Sequence, residues 1–447
     1  MNSSHSFRRT TLLLLLLGAF SSRLTSVRAQ GALTPPGAPA AVMKSLDQVE
    51  PRIPISTTPF SITNGGSYYL TTSITNGFPI TISADDVTLD LSGFALSGAP
   101  GSGIGIYVNF ASSNITIRNG TIRNYSSNAV YAASSFNCLL ENLKIIGNGG
   151  GISVSNNCMI RNCLLVNNGN GIIGGDGVNV RDCVTTSNAN RGISLGANGS
   201  AVNCQSLENT VDGIFIGTCA VVKGSVTAGN GRYGIRVDLG STVEDSVSRS
   251  NTATGIYMAN GSRGSVRGCS SSSNGAFGFL GDHGAVFDDC NSYANAGDGF
   301  RDTTGCTYVH CRAESNSGNG FNCSDGAMVE ECTAVNNVLD GIQVSNQSMV
   351  KDNHCYNNTD AGIQITGSSN RINGNSVNNN SPGFQVDGIH NIIFNNTADH
   401  NSTANYNIVT LNVVGVIEAP VPTSTVISGN TGGTGLGTTD PWANFSY

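Results

Sequence analysis

One spacing governs what this chain can fold into. Between Gly171 and Gly383 a glycine followed by Ile or Phe returns every 21 residues, and the single longer step, of 23 residues, runs from Gly255 to Gly278. Four residues before each glycine stands an asparagine, from Asn167 through Asn188, Asn209 and Asn230 to Asn379. Looser copies centre on Gly105, Ala129 and Gly151. A fixed period of this length marks a solenoid, whose units bury their apolar faces only against one another.

The residues within each unit decide which kind. After the glycine, apolar positions alternate, as Ile214 and Ile216, Ile235 and Val237, and Ile342 and Val344. Period two over so few residues reads as a short strand with one buried face. Another apolar residue recurs ahead of the next glycine, as Val180, Val243 and Val329. No unit holds an amphipathic stretch long enough for a helix. The fold expected is all-β: three short strands per coil, each stacked in parallel ~4.8 Å from its copy in the next.

The asparagines are expected to tolerate left-handed backbone and to pass amide hydrogen bonds up a column, with the glycines serving the next turn for a similar steric reason. Cys163, Cys183, Cys204, Cys269, Cys290, Cys311 and Cys332 keep the same period, and Ser225 and Ser246 fill the gap. A small residue inside every coil needs no bridge, so buried thiols are expected rather than a disulfide ladder. Paired C-x-x-C metal spacings are absent.

With "DDVTLDLSGFALSG" (85–98) as an opening coil and the "C-x(4)-N-x(3)-G-I" repeats, residues 60–407 resemble the right-handed parallel β-helix repeat proteins of the pectin-lyase-like superfamily. The resemblance implies a single right-handed parallel β-helix with capped ends. "AAVMKSLDQVE" (40–50) would be a short capping helix within an N-terminal segment, 30–59, and 408–447 a C-terminal cap or tail. Residues 1–29 read as a signal peptide: Arg8 and Arg9 precede an apolar run from Leu12 to Phe20, and Val27-Arg28-Ala29 ends in a small residue. The run is shorter than the ~20 residues that span a bilayer. A secreted, periplasmic or cell-surface protein with no membrane span is expected. Without residues 1–29 the chain keeps 18 basic against 29 acidic residues. Such a balance leaves no basic stripe for phosphates and argues against nucleic acid as a partner.

Equal phase in a solenoid predicts a shared surface. The second residue after each repeat glycine should face outward, which brings Arg236, Tyr257 and Arg301 into one file. Asp238 and Asp282 lie four after their glycines and Asp298 lies one before, so these residues and His283 should form one patch over four coils. Aromatics stack on sugar rings, arginines hold uronate carboxylates and acids move protons. The patch therefore predicts a polysaccharide or cell-surface glycan as partner. Asp238 and Asp282, ~9.6 Å apart by coil spacing, are the candidate acid and base, at the wide end of the range of about 6.5–9.5 Å for inverting glycosidases. His283 would assist, and Arg236, Tyr257, Asp298 and Arg301 would bind substrate.

Asp282-His283-Gly284 resembles the G-H-G element of polygalacturonases, but their N-T-D and R-I-K elements do not follow in matching order. No cofactor or metal is implied; calcium would need acids on adjacent coils, and Asp298 and Asp340 are two coils apart. A non-catalytic surface or structural rod is the rival reading, since only one small interruption breaks the coils.

Overall fold

The computed structural model describes residues 51–261, 263–419, 427–429 and 440–446. The expected signal peptide and capping helix lie outside them. Among the described residues every regular element is a strand. The coil that begins at Gly213 holds strands Ile214–Ile216, Val221–Lys223 and Val226–Ala228. Each pairs in parallel with its copy in the next coil: Ile214 with Ile235, Val222 with Val243 and Thr227 with Ser248. Three stacks of strands result, wound as a right-handed parallel β-helix. We call the stack that follows the repeat glycines the glycine sheet. Its glycines stand in single file, with Ile214 N–H donating to Gly234 O and Ile235 N–H to Gly255 O, both at 2.9 Å.

Those glycines are required for a reason other than the one expected. Their φ angles are not left-handed; what they lack is room for a side chain. A Cβ on Gly171 would sit 2.1 Å from the carbonyl oxygen of Gly192, and one on Gly234 would sit 1.9 Å from Ser248 Oγ. The left-handed residues are at the corners instead. In the coil after Gly213 they are Cys219, Gly224 and Gly229, with φ of 55°, 56° and 64°. The residue after each corner, here Ala220, Ser225 or Asn230, turns into the interior and is buried.

The asparagine column is therefore a hydrogen-bond ladder next to the left-handed position. Asn230 Oδ1 accepts both the backbone N–H of Asn209, at 3.1 Å, and its side-chain Nδ2, at 3.0 Å. Asn209 Nδ2 also donates to Thr185 O. At the two ends of the run the rungs are Asn168 and Asn380; Asn167 and Asn379 carry the left-handed φ. Left-handed Ser187, Glu208 and Ala294 show that the corner itself does not select for asparagine. The buried rung does, because an amide satisfies three backbone and side-chain groups that would otherwise be orphaned.

All thirteen cysteines are free, twelve of them buried and Cys219 exposed. Burial pushes the Cys204 and Cys306 thiols up to about 12, so they stay protonated. The column from Cys163 to Cys332 continues as Asn353, Asn375 and Asn396. Alternating apolar residues fill much of the rest of the interior, beside a buried hydroxyl column that runs through Thr185, Ser206, Thr227 and Ser248 to Ser292. From Phe279 the glycine sheet contributes a ring stack. Phe279, Phe300 and Phe321 lie 4.7 and 4.8 Å apart and nearly parallel. Strand pairing starts at Ile53, which pairs with Tyr68, and continues past 408, where Val413 pairs with Ile392 and Phe445 with Thr397. No helix among the described residues is long and apolar enough to cross a membrane.

Candidate functional site

Parallel stacking without slippage carries one register up the glycine sheet. Phe215 pairs with Arg236, Arg236 with Tyr257, Tyr257 with Leu280 and Leu280 with Arg301. The file goes on through Asn322, Gln343, Gln364, Gln385 and Asn407. All are the outward middle residues of three-residue strands whose two ends are buried.

The lower part of this file is an arginine–aromatic cluster. The Arg191 and Arg236 guanidinium carbons lie 4.3 and 5.2 Å from the Phe215 ring, one on each neighbouring coil. Arg236 also reaches the Tyr257 ring at 5.7 Å, Tyr257 lies 5.2 Å from Tyr233, and Arg232 sits 4.8 Å over Tyr233. Asp212, fully buried, neutralises two of the cations: it accepts from Arg232 Nε and Nη2 at 2.8 and 2.9 Å and from Arg191 Nε at 3.0 Å. Arg236 is held less closely. Among the described residues its one carboxylate contact is Asp238 at 3.9 Å, and its Nε is buried with no hydrogen-bond partner. Burial, then the charge of Asp282, pushes the Tyr257 phenol up, so it faces solvent as a neutral donor.

Asp238 and Asp282 flank the turn of the coil between them. Asp238 Oδ1 accepts from Asn260 Nδ2 at 2.9 Å, and Asp282 Oδ2 accepts from Gly261 N–H at 2.9 Å. Asp282 Oδ1 takes a further bond from Thr303 Oγ1 at 2.6 Å and lies 3.0 Å from His283 Nδ1. Burial alone would raise Asp282, but the bonds from Thr303, Gly261 and His283 outweigh it and hold the carboxyl below its ordinary value. His283 is mostly exposed.

The expected seven-residue patch is thus divided. Arg236, Asp238, Tyr257, Asp282 and His283 come together, whereas Leu280 stands in the file between Tyr257 and Arg301. Asp298 is covered beside the file, with only 7% of its side chain exposed. Its Oδ1 caps Asn319 N–H at 2.8 Å, and its Oδ2 accepts from Asn322 Nδ2 at 3.0 Å. Arg301 lies 3.5 Å from Asp298 Oδ2 and 4.9 Å over the Phe277 ring. Two coils on, Asp340 is buried in the same way; desolvation, then the charges of Asp360, Asp298 and Asp387, pushes it up to about 7. Among the described residues no group of three His, Cys, Asp or Glu side chains is placed to hold a metal.

Reading by phase missed four contributors: Phe215, Arg191, Arg232 and the buried anchor Asp212. The signal was present. Arg191 and Asp212 stand one before their glycines, Arg232 two before, and Phe215 occupies the same outward position as Arg236.

The family model described as right handed beta helix region matches residues 82–211 and 212–351. No curated protein matches the chain by sequence. Among solved structures, a mutant of the periplasmic alginate epimerase AlgG is 12% identical, with a TM-score of 0.37 over 63% of this chain and 76% of its own. The A-module of the mannuronan C-5 epimerase AlgE4 from Azotobacter vinelandii is 13% identical, with a TM-score of 0.33 over 73% and 90%. PfbA, a surface adhesin of Streptococcus pneumoniae, is 9% identical, with a TM-score of 0.24 over 75% and 84%.

Proposed function

The chain belongs to the right-handed β-helix family, and from that premise we propose that it is an exported protein that binds polysaccharide along the outward file of its glycine sheet. Arg236 carries this reading. Its guanidinium lies between the rings of Phe215 and Tyr257, with a buried Nε that no group among the described residues satisfies. A buried donor without a partner costs about 1–3 kcal/mol, a cost that an oxygen from a ligand would relieve. The flanking rings offer flat apolar faces for a sugar ring, and a uronate carboxylate is the strongest acceptor such a guanidinium could meet.

Binding is better supported than proton transfer. A general acid needs a raised pKa, whereas Asp282 has three donors and is held low, which leaves it at most the role of base beside Asp238. The rival reading, a non-catalytic surface rod, draws on this saturation and on a glycine spacing that, from Gly171 to Gly383, departs from 21 residues only between Gly255 and Gly278.

Affinity electrophoresis in gels containing polygalacturonate or alginate tests the proposal. Arg236→Ala and Tyr257→Ala are each expected to weaken retardation at least tenfold, equivalent to about 1.4 kcal/mol. Equal retardation of wild type and both variants, or none for any glycan, would refute it. Cleavage or epimerisation abolished by Asp238→Asn and by Asp282→Asn would move the assignment from binder to enzyme.

A further inference from the structure

The same file changes chemistry after Leu280. From Asn322 to Asn407 five successive coils present a carboxamide at one register: Asn322, Gln343, Gln364, Gln385 and Asn407. Asn407 Nδ2 donates to Gln385 Oε1 and Gln364 Nε2 to Asp387 Oδ2, both at 2.7 Å. Gln343 Nε2 makes only a 3.5 Å contact with Asp340 Oδ2. Unlike the buried asparagine rungs, these amides are on the solvent side, and packing does not require their type: the same position holds Phe215, Tyr257 and Leu280 lower down. Beside them, at the corner before Asp340, Val338 and Leu339 are 51% and 45% exposed.

We propose that this strip is a second glycan subsite, selective for uncharged, hydroxyl-rich sugar units. The proposal rests on the polysaccharide reading and names the sugar class at a different part of the file. Planar amides and carboxylate oxygens offer paired donors and acceptors that match neighbouring hydroxyls, and exposed Val338 and Leu339 supply an apolar face for ring C–H groups. The charges of Asp298, Asp360 and Asp387, which reach Asp340 itself, repel an anion from the strip. Arg301, paired with Asp298, marks its lower end. The file would thus take acidic units over the coils of Phe215 to Tyr257 and neutral units over those of Asn322 to Asn407.

Calorimetric titration of the full chain with cello-, laminari- and maltohexaose as neutral probes and with an oligogalacturonate as the anionic probe tests this. In Gln343→Ala/Gln364→Ala the affinity for at least one neutral hexaose is expected to fall tenfold or more, with oligogalacturonate binding unchanged. Arg236→Ala should show the reverse. A wild type that binds oligogalacturonate but no neutral hexaose would overturn this inference and leave the polysaccharide reading standing. So would a double variant with unaltered neutral binding. A wild type that binds neither class would remove both. Unchanged circular dichroism and thermal midpoint in the double variant exclude misfolding as the cause.

Discussion

The coils from Gly213 to Gly278 and those from Gly320 to Gly383 share one backbone path and differ in chemistry inside and out. Inside, the corner column is Ser225, Ser246 and Cys269 in the first group but Cys332, Asn353 and Asn375 in the second, where the amides take over. Outside, Phe215, Arg236 and Tyr257 give way to Asn322, Gln343 and Gln364. What stays constant across the inner change is one hydrogen bond. The backbone N–H at the corner of Cys204 meets Ser225 Oγ, that of Ser225 meets Ser246 Oγ, and that of Ser246 meets Cys269 Sγ at 3.4 Å. In the later coils Cys332 N–H meets Asn353 Oδ1, and Asn353 N–H meets Asn375 Oδ1. The corner thus asks for a compact residue bearing an acceptor, and serine, cysteine and asparagine all qualify. Serine and thiol also donate back, Ser225 Oγ to Ala201 O and Cys269 Sγ to Val243 O. The amide adds a side-chain bond to the next rung, Asn353 Nδ2 to Asn375 Oδ1 at 3.0 Å, so the later coils are bound more tightly through this column.

The sharpest way to break that contrast is to remove one rung from each region. Asn375→Ala would take the acceptor from Asn353 N–H and Nδ2 and the donor from Val350 O, now bonded at 3.0, 3.0 and 2.9 Å. A local loss of about 3 kcal/mol is expected, because each orphaned buried group costs about 1–3 kcal/mol. Cys269→Ala would give up a weak thiol donor to Val243 O, a weak acceptor for Ser246 N–H and a little volume, about 1 kcal/mol. Amide hydrogen exchange measured coil by coil is the suitable readout, since a repeat protein opens locally. Equal loss at both sites would show that the amide ladder adds nothing over a thiol.

How much of this was legible follows from what a period can encode. Gly192, Gly213 and Gly234 announced the stack because a residue that must be small repeats in every coil from Gly171 to Gly383. The reason for the glycine was not legible: close approach to the next coil and a left-handed turn demand the same residue, and only coordinates separate them. Asn167–Asn168 at one end and Asn378–Asn379–Asn380 at the other make phase ambiguous by one residue, which in a solenoid exchanges a corner for a rung. The file of Arg236, Tyr257 and Arg301 was readable from strand alternation, since register is constant. The burial of Asp298 was not, because the residue before the glycine lies outside the strand, where alternation gives no direction.

A smaller effect tests the glycine file itself. In Gly341→Ala the new Cβ would lie 2.5 Å from the backbone oxygen of Gly362 and 2.7 Å from Asn358 Nδ2. Because the nearest obstacle is main chain, relief requires the coils to separate, and overpacking of this kind costs about 1–3 kcal/mol. A drop in thermal midpoint with faster exchange at Ile342 and Ile363 is expected. In the middle coils the nearest obstacle to a Cβ on Gly255 is Ser271 Oγ, at 2.0 Å, so Ser271→Ala should partly rescue Gly255→Ala. No second-site change of that kind is available at Gly341. Rescue failing at Gly255 would mean that backbone contact sets the requirement in both regions.

The mildest test uses two carboxylates whose surroundings push them in opposite directions. Asp340, in the later coils, is raised by burial to about 7. Between the unfolded value, near 3.9, and that pH the folded chain holds a proton the unfolded chain has lost. Stability from this group therefore falls as pH climbs through that window. Asp282, in the middle coils, is held low despite burial by Thr303, Gly261 and His283, so its contribution is present above the unfolded value and lost as pH falls through the folded one. Asp340→Asn keeps an oxygen for Ala361 N–H, which Oδ1 now accepts at 3.0 Å, and removes the ionisable proton. It should raise the denaturation midpoint near neutral pH and leave it unchanged near pH ~4. Asp282→Asn should lower the neutral midpoint instead, since an amide cannot accept from Thr303 and Gly261 with a full charge. Two variants that shift the midpoint in the same direction at neutral pH would remove the electrostatic difference drawn here between the two regions.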